Sequence, residues 1–403
     1  MKYRIIEDGT VTTPKGFSAG AVFVDIKAAK KKPFDLALLY SDAPCAAAGV
    51  FTTNKIKAAP VMLCQQRLRA QRARAIVANS GCANACTGDQ GRRNAEQTAL
   101  LAAQKLGIKS EDVLVASTGV IGTHLPMEKV ARGIEAIELA PGGGHDFARA
   151  IMTTDTFPKE IAVTLDIDGR PVTIGGVAKG AGMIHPNMAT MLCFITTDAA
   201  VEPAFLKRAL RRCVDDTFNM ISVDGDTSTN DTVLLLANGR AGTVTLHNGS
   251  TDAEHFEEAL GEVCLYLAKS IARDGEGSTK LIEVTVEGAL SVADARLAAR
   301  TIVGSPLVKT AVYGSDPNWG RVVAAAGRSG AEIVESKVDL YLDHLCLMSS
   351  GTPLPFDSGE AKRLMDQKEV RFRLCLNLGE GMATAWGCDL TEEYVALNGD
   401  YTT

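Results

Sequence analysis

Short apolar runs broken by turn residues constrain this chain more than any other feature. Before residue 90 they fall at 20–26, 34–40, 46–52, 61–64 and 74–78, each too short for a typical helix and separated by Gly, Pro, Asn and Lys. That spacing predicts a sheet, with 30–33 (Lys-Lys-Lys-Pro) as a solvated loop between strands. Helical patterns interleave from there on. Asn94 with Gln97 is a candidate cap ahead of Leu100, Leu101 and Leu106, and Gly107 sits where a terminating glycine belongs. Further helices are expected at 126–137, from Glu202-Pro203 to about Val214, at 253–273, where Phe256, Leu260, Val263, Cys264, Leu267 and Ile271 make one stripe, and at 292–303. Residues 161–167 and 171–174 flank Asp168-Gly169, a hairpin signal. Strands follow at 281–286, 331–342, 370–377 and 382–390. The expected fold class is α/β, or α+β with mixed sheets.

At 403 residues, and roughly 150 residues per domain, two or three domains are expected. The formal charge is −6, which argues against a nucleic-acid or anionic-membrane partner. Apolar runs such as 191–195 and 233–237 fall far short of the roughly 18 residues a membrane span needs. The first residues, Met-Lys-Tyr-Arg-Ile-Ile-Glu-Asp, hold no uninterrupted apolar stretch, so a cytoplasmic protein is expected. Ten scattered cysteines without zinc-type pairs suggest free thiols, and no metal site is expected.

One stretch stands apart: Lys179-Gly-Ala-Gly-Met-Ile-His-Pro-Asn-Met-Ala-Thr-Met-Leu192. A lysine precedes a Gly-x-Gly turn, and Ala189-Thr190 leads straight into an apolar strand. Cleavage between them would give Thr190 both a hydroxyl and a free α-amine. With an ordinary pKa of about 7.7–8.0, that amine can serve as base for its own hydroxyl. From spacing alone, a β-branched residue starting a strand explains the motif as well. The strand 113–116 runs into Ser117-Thr118-Gly119, a small-residue turn able to aim N–H groups at an oxyanion, or simply a turn. The loop 79–88 offers Cys82 and Cys86 as nucleophiles but no nearby His, so a packed loop is the better reading. Residues 222–232 imitate a cation loop without its terminal Glu, and 274–280 imitate a phosphate loop in reversed context; hydrogen-bonded turns account for the first.

Together with 153–156, 314–321 and 398–403, these segments resemble, in order and from near residue 18 to the end, the self-processing ornithine acetyltransferase (glutamate N-acetyltransferase) family of arginine biosynthesis. The resemblance implies autocatalytic cleavage between Ala189 and Thr190, giving an α chain 1–189 and a β chain 190–403 that assemble as α2β2. It implies a two-domain fold of layered sheets and helices. It implies that Thr190 takes the acetyl group from N-acetylornithine as an ester and passes it to glutamate, a ping-pong scheme without a cofactor. By position Thr118 and Gly119 match the oxyanion-hole pair. Thr156, Lys179, Thr190, Glu276, Asn398 and Thr403 match the residues that hold the amino acid, Lys179 at its carboxylate and Glu276 at the ornithine ammonium. Cys82 replaces a more frequent Asn, and Ala181 a frequent Ser; neither removes a catalytic group. No residue separates members that also use acetyl-CoA from those that do not, and the bifunctional reading is carried forward. Two other readings stay open: a self-processed aminopeptidase of related fold, and an uncleaved metabolite-binding protein.

Overall fold

The computed structural model describes residues 3–27, 33–185 and 191–400. The expected mixture of helices with mixed sheets is what they form. The first sheet takes β1 (Tyr3–Ile6), β2 (Phe17–Val22), β3 (Leu36–Phe51), β4 (Arg72–Asn79), β5 (Val113–Ser117), β6 (Lys159–Ile167), β7 (Arg170–Lys179) and β8 (Leu192–Thr197). The chain then gives β9 (Ile221–Ser222) to the second sheet and β10 (Thr232–Ala237) back to the first. The first sheet runs β1-β6-β7-β8-β10-β3-β4-β5, with β2 paired to β3. The second holds β11 (Leu281–Ala289), β12 (Asp339–Leu342), β13 (Leu345–Ser349), β14 (Thr352–Pro353), β15 (Glu369–Cys375) and β16 (Gly381–Cys388), in the order β14-β13-β12-β15-β11-β16-β9.

Helices α1 (Ala59–Arg67), α2 (Gly88–Leu106), α3 (Met127–Ala136) and α4 (Gly144–Ile151) share one apolar core with β2 to β5. Helices α5 (Pro203–Asp216) and α6 (Thr251–Arg273) belong to the other core, which runs without interruption from β6, β7 and β8 into the second sheet. Its apolar stripe seats α6 on β6, β7 and β16, so this helix ties the two sheets together. Helix α7 (Val292–Val303) covers β11 and β16, and α8 (Pro306–Tyr313), α9 (Trp319–Gly327), α10 (Ser358–Met365) and α11 (Glu392–Asp400) complete the chain. Among the described residues no helix is long and apolar enough to cross a membrane.

Several expectations change here. Residues 61–64 lie inside α1, because Pro60 opens a helix and four apolar residues carry no period of their own. Helix α2 starts at Gly88 rather than Asn94; its first turns are polar, so the apolar period begins late, and Asn94 is buried mid-helix with its Oδ1 taking the Gln90 amide. The runs 34–40 and 46–52 are one strand, β3, with a register shift between Tyr40 and Cys45. Of 331–342 only Asp339–Leu342 is strand. Of the lysine loop 30–33, the three lysines lie outside the described residues. The Asp168-Gly169 hairpin stands as read, both residues at positive φ (54° and 70°) as a type I′ turn demands.

Candidate active site

Parallel strands β4 and β5 end side by side, pairing Asn79 with Ser117. Polar side chains then lock the loops that leave these two strands. Asn79 Oδ1 accepts the Ser117 hydroxyl at 2.7 Å, and its Nδ2 donates to Cys82 O at 2.9 Å. Asn230, buried, donates its amide to Ala83 O (2.6 Å) and Ser117 O (2.8 Å), fastening the loop after β4 and the end of β5 to the strand leading into β10. Asn230→Ala would remove the donor from two carbonyls, and at about 1–3 kcal/mol for each unsatisfied group the variant is expected to lose about 2–6 kcal/mol. The shift of its urea midpoint checks this.

The turn held in this way presents Thr118 and Gly119 to a cleft they share with Thr153, Thr154, Lys179, Gly182, Asn230, Glu276 and Asn398. The Thr118 N–H is spent on Asn79 O at 3.0 Å. Among the described residues no hydrogen bond occupies the Thr118 hydroxyl or the Gly119 N–H, so this turn brings two open donors to the cleft wall. Gly119 has φ +129°, a conformation glycine adopts far more readily than other residues.

Lys179 ends β7 as one of the largest fully enclosed side chains, 2% exposed yet lining the cleft. Burial pulls its pKa down, while Asp155, Glu276 and Asp231 pull it back up and Lys159 opposes them. Asp155 is buried too, and burial alone would raise its pKa. Lys179 and Lys159 outweigh that and hold it well below the usual carboxylate range. Its Oδ1 accepts Lys159 Nζ (2.8 Å) and Gly180 N–H (2.6 Å), and its Oδ2 accepts Thr153 N–H (2.8 Å). Lys159 reaches on to Asp274 Oδ2 at 2.6 Å. Asp274 also takes the N–H (3.0 Å) and the hydroxyl of Thr156. Thr156 thus turns to Asp274, and its neighbours Thr153 and Thr154 line the cleft.

Glu276 lies flat over Gly182: a Cβ there would sit 2.5 Å from its carboxylate carbon. Its N–H bonds Ala181 O at 2.9 Å, and Asn398 on α11 donates to its Oε2 at 2.8 Å. The structure therefore gathers Thr118, Gly119, Lys179, Glu276 and Asn398. Ala189, Thr190 and Thr403 lie outside the described residues. On either side of 186–190 the chain is clamped by carboxylates of one loop. Asp224 accepts the N–H groups of Met183 and Ile184, and Asp231 Oδ1 accepts Met191 N–H at 3.0 Å. Burial raises the pKa of both acids, that of Asp231 strongly.

That use of Asp224 and Asp231 accounts for the oxygen-rich stretch 222–232 as backbone clamps. The 274–280 loop is braced likewise, Asp389 accepting Thr279 N–H (2.8 Å) and Lys280 N–H (2.9 Å). Cys82 is buried with its thiol on Thr123 O, while Cys86 is exposed, and neither lines the cleft. Among the described residues no group of His, Cys, Asp or Glu could hold a metal ion. Within the matched segment 153–156 the choice lay between Thr156 and Thr154, and it is Thr154 that lines the cleft; sequence reading missed Thr153, Ser228, Thr229 and Asn230 as cleft residues, and Lys159 altogether. A lysine heading the apolar strand 159–167 was the available signal.

The ArgJ family model matches residues 18–403. The chain belongs to the ArgJ family. It is 55% identical over 399 residues to the "Arginine biosynthesis bifunctional protein ArgJ" of Dehalococcoides mccartyi, covering 99% of this chain and 98% of that one. It is 57% identical to the protein of the same description from Symbiobacterium thermophilum, covering 98% and 99%. A crystal structure of the ArgJ protein of Bacillus halodurans, 45% identical, superposes with a TM-score of 0.51 and covers 52% of this chain and 98% of that chain.

Proposed function

We propose that this ArgJ-family chain transfers an acetyl group from N2-acetylornithine to glutamate through an ester on Thr190, after cutting itself between Ala189 and Thr190. The observation that carries the reading is the cleft itself. Two unspent donors (Thr118 hydroxyl, Gly119 N–H), an enclosed cation (Lys179) and a carboxylate (Glu276) face one space beside the clamped start of β8.

In this scheme the substrate carboxylate pairs with Lys179 and the ornithine ammonium with Glu276. The Thr190 hydroxyl attacks the acetyl carbonyl carbon and gives its proton to the Thr190 α-amine. The tetrahedral oxyanion meets Thr118 and Gly119, each such donor being worth ~3–4 kcal/mol. The C–N bond then breaks, the proton passes to the departing ornithine amine, and the acetyl ester remains. Glutamate enters the same site and its α-amine attacks the ester. Relatives described as bifunctional support acetyl-CoA as a second donor to Thr190. That the solved Bacillus halodurans chain is matched nearly whole, yet spans about half of this one, supports a division into chains 1–189 and 190–403; their assembly as α2β2 is part of the same proposal. Thr156 acts in this scheme from behind, through Asp274, and Asn398 through Glu276, while Thr403 is assigned to holding the amino acid from the family likeness alone.

Intact-mass spectrometry before and after brief exposure to N-acetylornithine tests the proposal. The expected result is two fragments, ending at Ala189 and starting at Thr190, the second gaining one acetyl mass. Cleavage with acetyl lost to water and never to glutamate would favour the aminopeptidase reading. A single unlabelled mass from folded protein would leave a binding protein.

A further inference from the structure

Two lysines and two aspartates stack behind the cleft, and only one of the four side chains lines it. Lys159 is wholly enclosed, its ammonium between Asp155 (2.8 Å) and Asp274 (2.6 Å), both carboxylates 3% exposed or less. Nothing in the transfer scheme uses it. Burying a charge of this kind is expensive, and an apolar residue of similar volume is often as stable.

Asp155 explains the arrangement. Its two oxygens accept three hydrogen bonds, from Lys159, Gly180 N–H and Thr153 N–H. Lys179 feels the same carboxylate through its charge, and among the described residues no hydrogen bond joins the two. A buried ammonium would close onto a carboxylate oxygen that had room for it. With Oδ1 filled by Lys159 and the Gly180 N–H, Lys179 keeps the benefit of the negative charge, and among the described residues its N–H donors stay open to a ligand. Asp274 in turn neutralises Lys159 and is fixed by Thr156. The four groups balance to zero net charge.

We propose that Lys159 is a positioning residue for the transfer reaction: by occupying Asp155 it leaves the Lys179 ammonium free to take the carboxylate of the incoming amino acid. The inference rests on the transfer reading above. In Lys159→Met the Lys179 ammonium would fall back onto Asp155. Because N-acetylornithine and glutamate share the carboxylate, KM for both rises together, by roughly 10- to 100-fold, the loss of one charged hydrogen bond. The value of kcat stays within a few fold. Adding Asp155→Asn removes the competing carboxylate, so the double variant recovers part of the lost KM; a merely structural lysine would give a double variant no better than the single.

Steady-state kinetics with both substrates, alongside mass spectrometry for processing, carry the test. Unchanged KM values, a fall confined to kcat, or no recovery in the double variant overturns the inference. A wild-type protein without transfer overturns the reading beneath it instead. Should Lys159→Met not fold, Asp155→Asn alone decides. It leaves Lys179 facing Lys159, Glu276 and Asp231 without its nearest counter-charge, so its pKa drops further. KM then rises more steeply with pH than in the wild type; a pH-independent change overturns the proposal.

Discussion

Thr190→Ala is expected to yield one undivided chain that takes up no acetyl group, with transfer reduced on the order of 10⁴-fold or more. In the proposed scheme the hydroxyl is needed twice, first to attack the preceding carbonyl during cleavage and then to attack the substrate, and the amine that serves as its base is itself a product of the first step. Both functions therefore vanish together, whereas removing a donor or a binding group slows each without abolishing it. Thr190→Ser keeps hydroxyl and amine and is expected to retain cleavage and an acetylated fragment at reduced rates. The clamps that Asp231 places on Met191 and Asp224 on Met183 and Ile184 do not involve the Thr190 side chain, so the alanine variant should melt close to wild type. Intact mass and single-turnover assays read the outcome. An alanine variant found cut at residue 189 would end the Thr190 mechanism.

How much of this was legible in the sequence depended on how local the determining physics was. The β6–β7 hairpin was readable because Asp168 and Gly169 supply positive φ within the turn itself. Helix α7 was readable because its stripe is regular, with Ser291 capping Asp294 N–H ahead of it. Helix α1 was not, since Ala58 offers no side-chain cap and its apolar residues are too few to show a period. Helices α8 to α11 were missed likewise, at eight or nine residues each. Strand β8 lies between β7 and β10, parallel to the latter, a pairing fixed across the fold that no local pattern announces.

The site divides in the same way. Lys179, Glu276 and the Thr118-Gly119 turn were singled out with family likeness as guide, and the structure places them around one cleft. The apparatus behind them was invisible. Thr156 meets Asp274 across 118 residues of sequence, and Asn230 meets Ala83 across 147. In the sequence Lys159 is one more charge at a strand end. Only its enclosure between two carboxylates marks it as a group the fold retains at a cost.

Gly119→Ala should be nearly as damaging as losing the nucleophile's support. A Cβ on Gly119 would stand 2.4 Å from Gly81 C and 2.6 Å from Cys82 N, backbone atoms that no rotamer change can move aside. Retreat is blocked as well: Thr118 N–H holds Asn79 O, and Val120 N–H holds Gly81 O at 3.3 Å. The alanine must also adopt φ near +129°, at about 1–3 kcal/mol of strain. Relief comes only by parting the two loops, which carries the Gly119 N–H away from where an oxyanion would form. The expected loss in kcat is about 10²- to 10³-fold, that of one oxyanion donor. KM should change little, since Lys179, at the end of β7, and Glu276 belong to other segments. The proposed cleavage at Ala189, which would pass through an oxyanion of its own, should slow alongside. Thr118→Val separates the two effects, because it deletes the hydroxyl and keeps the shape. A comparable fall in kcat with an unchanged urea midpoint is expected there, against a lowered midpoint for Gly119→Ala. A folded Gly119→Ala enzyme within tenfold of wild-type kcat would remove this turn from the chemistry and leave it as packing.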